Sequence, residues 1–121
     1  MLQGDFYSIQ SDEEISSENH RFQIEINPKH PIFSGHFPGQ PVVPGVCLIQ
    51  IGKELSENIV HRKLFLHKGS NMKFLNVVDP RVHPIISFDI KIRQVENEQV
   101  SADIVIYESA TTFVKFSGQL G

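Results

Sequence analysis

The chain has 121 residues, of which 40% are hydrophobic and 21% charged, and its formal net charge is −3. This length suits one domain spanning residues 1–121, and the weakly acidic charge gives no electrostatic reason to expect nucleic acid or an anionic membrane as a partner. The single cysteine, Cys47, excludes an internal disulfide, and no apolar stretch is long enough to cross a bilayer. Met1 is not followed by a basic and then an apolar segment, so we expect no secretory signal and a cytoplasmic protein.

Apolar and polar residues alternate in several segments, which is the pattern of half-buried β-strands. Strands are predicted at 5–10, at 21–27 and, less regularly, at 64–78, whereas the acidic stretch 12–18 is most simply a solvated loop. Two further strands are predicted at 86–93 and 100–106, separated by a polar turn at 96–98, and a last one at 111–119. The pattern therefore predicts a mostly antiparallel sheet of about five or six strands.

The segment 44–59 has helical spacing instead, with Leu48, Ile51 and Leu55 on one face. Its first two turns are apolar nearly all round apart from Gln50, which favours a helix that is buried at its N-terminal end and then emerges into solvent. One long helix wrapped by one antiparallel sheet is the simplest architecture that buries both elements. The predicted fold class is therefore α+β.

The loop before this helix, residues 36–45, contains three prolines and two glycines. Pro44 fits the first helical position, where its missing N–H is no loss, and the Gly45 N–H then suits a carbonyl oxygen that gains negative charge. His36 supplies a base near neutral pH. A base and an oxyanion donor together suggest proton abstraction next to a carbonyl. Alternatively, Pro and Gly only shape a tight connection and His36 is an ordinary loop histidine.

The run His36-Phe37-Pro38-Gly39, followed by Pro41-Val42 and Pro44-Gly45-Val46, resembles the signature of the 3-hydroxyacyl-acyl-carrier-protein dehydratases of the FabA/FabZ type, which have the hot-dog fold. The resemblance implies a homodimer, a heterodimer with another hot-dog subunit, or a higher oligomer, with an acyl tunnel at the subunit interface. It also implies a substrate carried as a thioester on the phosphopantetheine of an acyl carrier protein, and no other cofactor.

The same resemblance assigns roles to individual residues. It implies that His36 removes the C2 proton, that the Gly45 N–H polarises the thioester carbonyl, and that the Val42 carbonyl holds the histidine. The candidates for contact with the substrate are Phe33, Phe37, Val42 and Pro44, of which the two phenylalanines are equally reasonable as packing residues.

Position 50 departs from the family, which has Glu or Asp fourteen residues after the histidine, where this chain has Gln50. An amide cannot protonate a leaving hydroxide, a contribution of about 10²–10⁴-fold. Three explanations compete. Glu54, one turn further along the helix, could supply the acid; Gln50 could hold the hydroxyl or a water without ionising; or a homologous subunit that retains the carboxylate could complete a shared site. The alternative for Glu54 is an ion pair with a basic neighbour.

Between residues 53 and 81, six basic residues stand against three acidic ones, in a chain that is acidic as a whole. A local basic surface suits an acidic carrier protein, and Arg62, Lys63 and Lys68 are the candidates, although a solvated face explains the charges equally well. The other histidines, including His30 and His83, have no spacing typical of a metal site.

The sequence thus favours dehydration of (3R)-hydroxyacyl-acyl-carrier-protein to the trans-2-enoyl product, in fatty-acid or related lipid and polyene biosynthesis. Three alternatives stay open: a catalytically impaired hot-dog subunit that pairs with an active dehydratase, a hot-dog thioesterase, and a non-catalytic carrier-binding protein.

Overall fold

The computed structural model describes residues 2–35, 41–94 and 97–121. Within these ranges, one long helix packs against a single antiparallel sheet, so the predicted α+β class is confirmed. The elements are β1 (Tyr7–Glu14), β2 (Asn19–Ile26), α1 (Ile32–Gly35), α2 (Gly45–Val60), β3 (Leu66–Phe74), β4 (Ile85–Gln94), β5 (Val100–Glu108) and β6 (Thr111–Leu120).

The sheet has the strand order β1-β2-β4-β5-β6-β3, which makes β1 and β3 its edges. Alternation determines which residues face α2, since a strand points successive side chains to opposite faces. One row of register partners on this face runs Phe22, Phe88, Ile106, Val114 and Phe74. The first four are fully buried, whereas Phe74 on the edge strand is exposed. The core therefore ends before it reaches the β3 edge.

The two edges differ from the predicted strands. β1 extends to Glu14, so residues 12–14 belong to a strand, and the interpretation of 12–18 as a loop is wrong for these three residues. The backbone of β1 pairs with β2, for example Glu13 with Arg21, while the acidic side chains remain in solvent. β3 is shorter than predicted, and every one of its residues is exposed. A solvated edge strand lacks the apolar alternation that would reveal its bounds.

Helix α2 is most deeply buried in its middle, at Ile51 and Leu55, and not at its N-terminal end. Val46 in the first turn is 76% exposed, which overturns the expectation of a buried start. Of the apolar residues in the first two turns, Val46 and Ile49 line one cavity and Leu48 lines another, whereas Cys47 and Ile51 pack in the core. These two cavities position the candidate site.

Candidate active site

Two amide groups at the start of helix α2 have no acceptor among the described residues. Pro44 is the N-cap, one residue before the helix rather than its first residue, and its φ of −59° lies in the usual range of proline. Its carbonyl accepts the amides of Cys47 at 2.9 Å and Leu48 at 3.2 Å. In residues 2–35, 41–94 and 97–121, the amides of Gly45 and Val46 have no acceptor. Unpaired N–H groups at a helix start favour an oxygen that carries negative charge.

A groove of about 520 Å³, here called the Gly45 groove, opens beside these amides. The Val43 amide donates a 2.8 Å hydrogen bond to the Val78 carbonyl, which ties the segment before α2 to the chain after β3. The ring of Phe74 lies over the helix start, since a methyl group at position 45 would stand 2.7 Å from its Cε1 atom. The groove is lined by Val42, Val43, Pro44, Gly45, Leu48, Phe74, Leu75, Asn76, Val77 and Val78.

A second cavity of about 90 Å³, here called the Gln50 pocket, lies between α2 and strands β3, β5 and β6. Its walls are apolar except for Gln50 and Lys53. A mostly apolar cavity with few polar groups is typical of a site for an apolar ligand that carries one polar substituent. The pocket is lined by Val46, Ile49, Gln50, Lys53, Leu66, Ala102, Ile104, Phe116, Gly118 and Leu120.

The sequence-predicted base, His36, lies outside the described residues, and so does Phe37. Their roles stay predictions. The structure does bring Val42, Pro44 and Gly45 together in one groove, and it places Gln50 in the neighbouring pocket.

The Glu54 carboxylate lies in a network of four hydrogen bonds. Its Oε2 atom accepts the Leu2 amide and the Gln50 Nε2 group, both at 2.8 Å. Its Oε1 atom accepts the Gln3 amide at 2.9 Å and the Tyr7 hydroxyl at 3.1 Å. The side chain is buried, since the residue is only 3% exposed. Glu54 therefore fastens the N-terminal segment and Gln50 to the same point of α2.

This environment keeps Glu54 ionised. Burial by itself would raise the pKa of the carboxyl, but the hydrogen bonds from Gln50, Leu2, Gln3 and Tyr7 together lower the pKa below its ordinary value. Burial and the adjacent carboxylate raise the pKa of Tyr7, so its hydroxyl stays protonated and remains a donor. An ionised carboxylate has no proton to give to a leaving hydroxide. The geometry of Glu54 thus suits an acceptor and not a general acid.

The structure does not support the alternative interpretation of Glu54 as half of an ion pair. None of the ion pairs within the described ranges includes Glu54; Lys53 pairs instead with Glu57, at 3.3 Å between Nζ and Oε2. Lys53 also donates to the Leu64 carbonyl at 3.1 Å. Lys53, the basic neighbour of Glu54, therefore bonds to Glu57 and to the chain after α2, and not to Glu54.

Two other residues from the sequence analysis belong to the core. Phe33 is 7% exposed, and its ring stacks on Phe6 with centroids 5.6 Å apart, which favours its packing role over substrate contact within this chain. Cys47 is buried against the same core, and burial raises the pKa of its thiol. A buried thiol of raised pKa is a poor nucleophile.

The basic segment carries less free charge than its composition indicates. Lys53 is paired with Glu57, and Arg81 lies 3.0 Å from Asp79, measured from Nη2 to Oδ2. Arg62 is half-buried and donates to the Glu98 carbonyl.

Two of the docking candidates, Lys63 and Lys68, are exposed and take part in none of the ion pairs found among the described residues. Lys73 follows on β3, opposite Lys115 of β6. These two lysines line one shallow depression together with the acidic Asp103, so both signs of charge are present there.

Sequence reasoning missed Tyr7 and Phe74. Tyr7 is separated from Glu54 by 47 positions, and no local pattern reports such a contact. A usable signal did exist for Glu54, because it lies between Ile51 and Leu55 on the apolar face of the helix. A charged residue on such a face is buried only when it is paired or hydrogen-bonded.

Across the part of the chain that the structure describes, no three His, Cys, Asp or Glu side chains are close enough to hold a metal ion. No helix there is both long enough and apolar enough to span a bilayer.

Comparison with known proteins identifies relatives of this chain. The ApeI-like family, described as ApeI dehydratase, matches residues 11–115. The 3-hydroxyacyl-acyl-carrier-protein dehydratase FabZ of Fusobacterium nucleatum is 33% identical over 94 residues, which cover 68% of this chain and 65% of the relative. FabZ of Wolbachia pipientis is 40% identical over 60 residues, or 41% of this chain and 40% of the relative. The chain thus spans less than two thirds of the length of these relatives.

Solved structures agree with this match at the level of the fold. A chain of the dehydratase heterocomplex ApeI:P from Xenorhabdus doucetiae is similar with a TM-score of 0.67 and 19% identity, over 93% of this chain and 95% of that chain. A mutant thioesterase from Pseudomonas aeruginosa has a TM-score of 0.65 and 9% identity, over 93% and 78% of the two chains. The hot-dog fold implied by the sequence resemblance is confirmed. Because the family match covers most of its length, this chain belongs to the ApeI-like family of FabA/FabZ-type dehydratases.

Proposed function

We propose that this protein dehydrates a (3R)-hydroxyacyl-acyl-carrier-protein to the trans-2-enoyl thioester. The observation that carries the proposal is that the amides of Gly45 and Val46 have no acceptor in the described part of the chain, and that Gly45 lines an apolar groove at the start of α2. Hydrogen-bond donors fixed at a helix start stabilise the negative charge that develops on a thioester oxygen. Membership of a dehydratase family supports the same reaction.

In the proposed reaction, His36 takes the proton from C2, and the Gly45 amide donates to the thioester carbonyl oxygen. The electron pair of the broken C2–H bond forms the C2=C3 double bond, and the C3–O bond breaks. Hydroxide leaves and needs a proton to become water. The low pKa of Glu54 and its four donors argue against it as the source of that proton.

The missing acid is therefore assigned to a homologous hot-dog subunit that retains the family carboxylate. Exposed apolar residues support a second subunit. Phe74, Leu75 and Val77 line the Gly45 groove and are each at least half exposed. Strand β3 beside them is an edge of the sheet with every residue exposed, so one row of its backbone groups has no strand partner in the described structure.

The substrate is proposed to arrive on the phosphopantetheine of an acyl carrier protein, with no further cofactor. The exposed Lys63 and Lys68 support docking of an acidic protein. Charges at the rim of an interface mainly accelerate and orient encounter.

The direct test is mass-spectrometric detection of water loss from a (3R)-hydroxyacyl-carrier-protein. The purified chain is assayed alone and together with a homologous hot-dog subunit, and a His36→Ala variant is the control. We expect water loss from the combined subunits and none after the substitution. Absence of water loss in both preparations would overturn the proposal. Release of a free hydroxy acid would instead favour thioester hydrolysis, the activity named for one structural neighbour.

A further inference from the structure

The orientation of the Gln50 carboxamide follows from its contact with Glu54. An ionised carboxylate only accepts hydrogen bonds, so the nitrogen of Gln50 must face it, as the 2.8 Å contact from Nε2 to Oε2 requires. The two side chains are four residues apart on α2 and therefore lie on the same face of the helix. With Nε2 turned toward Glu54, the carbonyl oxygen Oε1 is turned away from it.

Gln50 is also the link between the Glu54 network and a cavity. Of the four donors to Glu54, which are Leu2, Gln3, Tyr7 and Gln50, only Gln50 lines the Gln50 pocket in the described structure. Glu54 itself does not line this pocket. The pocket is apolar around Gln50, apart from Lys53, whose Nζ group is engaged by Glu57 and by the Leu64 carbonyl.

We propose that Glu54 is a positioning residue, which turns Gln50 so that its Oε1 atom accepts a hydrogen bond from the hydroxyl of an acyl thioester in the Gln50 pocket. This role rests on the proposed function, because it takes the hydroxyacyl chain as the ligand. It differs from the role of general acid, since no proton leaves either residue.

The network is built to hold this orientation. Three of the four donors come from the N-terminal segment, more than 45 positions away in sequence, and they leave the carboxylate no freedom to turn. A carboxylate with about four acceptor sites is saturated by four donors. Glu54 is held by three other donors and can therefore hold Gln50 in one orientation. A precise polar contact requires side chains that are fixed in this way.

The test compares two ligands that differ by one hydroxyl, (3R)-hydroxybutyryl-pantetheine and butyryl-pantetheine, by calorimetry. We expect the wild-type protein to bind the hydroxylated thioester about 3- to 10-fold more tightly, as one neutral hydrogen bond allows. Glu54→Gln and Gln50→Leu should both abolish this preference. Tyr7→Phe, which removes a donor from the other carboxylate oxygen, should keep it.

A preference that survives in Glu54→Gln would overturn the inference, and so would an equal loss in Tyr7→Phe, which would mean that Glu54 acts only through the fold. Failure of the wild-type protein to bind either thioester would instead count against the proposed function.

The orientation of Gln50 can also be tested on the wild-type protein, so that the result does not depend on the folding of a variant. The side-chain amide of Gln50 should give nuclear magnetic resonance signals that are protected from solvent exchange, as expected for a donor bonded to a buried carboxylate. Rapidly exchanging Gln50 signals would refute the orientation, independently of any activity.

Discussion

Gln50 donates a hydrogen bond to Glu54 across one turn of helix α2, at 2.8 Å between Nε2 and Oε2. The resemblance to the FabA/FabZ-type dehydratases implies a carboxylate at the first of these positions. In this chain the only carboxylate of the pair is Glu54, which lies in the buried network of the N-terminal segment. The position that faces the pocket is left with an amide.

Gln50→Glu should restore a proton donor at the pocket. Two carboxyl groups at hydrogen-bond distance cannot both ionise, so one of them keeps a proton with a raised pKa. If the chain alone lacks only the acid, its dehydration rate should rise by about 10²-fold or more.

The measurement is the turnover of a (3R)-hydroxyacyl-carrier-protein by the isolated chain. The double exchange, Gln50→Glu with Glu54→Gln, is the matched control because it keeps one carboxylate and one amide. An unchanged rate in both variants would show that the acid is not what the isolated chain lacks.

Gly45→Ala should lower the dehydration rate strongly and change the free energy of unfolding only a little. The added methyl group would stand 2.7 Å from Cε1 of Phe74, whose half-exposed ring can move aside at a cost of about 1 kcal/mol or less. The displaced ring would crowd the Gly45 groove, and a misplacement of about 1 Å can reduce turnover by about 100-fold.

Gly52→Ala is the comparison on the same helix. Its methyl group would lie 2.9 Å from Ile104 Cδ1 and 3.0 Å from Phe116 Cζ, inside the core. Overpacking of this kind costs about 1–3 kcal/mol. Gly52→Ala should therefore unfold at the lower temperature, whereas Gly45→Ala should have the lower turnover. If one variant were the lower in both assays, the assignment of the Gly45 groove to the active site would be wrong.

Glu54 should make the free energy of unfolding depend on pH. Its pKa is lowered in the folded chain, so its stabilising effect is complete above the ordinary glutamate pKa of about 4.3 and is lost as the pH falls through the lowered value. Glu54→Gln lacks this effect and also leaves buried donors unsatisfied, at about 1–3 kcal/mol at neutral pH.

Urea unfolding between neutral pH and about pH 3 measures the difference in the free energy of unfolding between wild type and Glu54→Gln. The difference should shrink at the acidic end. The other ionisable groups near the network are Tyr7, which stays protonated throughout, and Glu57, which is held by Lys53 in both proteins. A difference that is constant with pH would mean that Glu54 is not ionised in the native state.

Charge reversal of Lys63 and Lys68 should weaken binding of an acyl carrier protein. Both side chains are exposed, so their attraction for an acidic partner is screened by salt over about 8–10 Å. We expect the double variant to raise the dissociation constant about 10-fold at low salt and much less at high salt. Lys29→Glu, at an exposed position in the turn after β2, is the control, and an equal loss there would point to net charge and not to a docking surface.

Val77→Lys should prevent subunit association. Val77 is 71% exposed and lines the Gly45 groove beside the β3 edge, so a buried interface there would have to enclose an unpaired ammonium group. Sedimentation should show the variant as a monomer and the wild type as a larger species. Ile15→Lys, at a 49% exposed residue just after β1, should sediment like the wild type. Association of Val77→Lys would exclude this groove from the interface.

Local patterns in the sequence determined most of the fold. Strict alternation defined β2, β4 and β5 to within a few residues, because their side chains alternate between a core and solvent. The last strand, β6, was predicted equally well from its position after a turn. Helical spacing defined α2 to within one residue at each end. The edge strands were predicted less well, since exposed side chains carry no such alternation.

The Pro- and Gly-rich motif likewise indicated the helix start and the Gly45 amide, because proline and glycine have strong local conformational preferences. It also carried the resemblance that the family match confirmed.

Tertiary structure alone decided what Glu54 does. From the sequence it was either a replacement acid on the face of Gln50 or half of an ion pair where the helix emerges into solvent. The N-terminal segment covers it instead, and the amides of Leu2 and Gln3 reach the carboxylate from more than 50 positions away. Contacts between segments so far apart depend on the packing of the whole chain, and no local pattern encodes them.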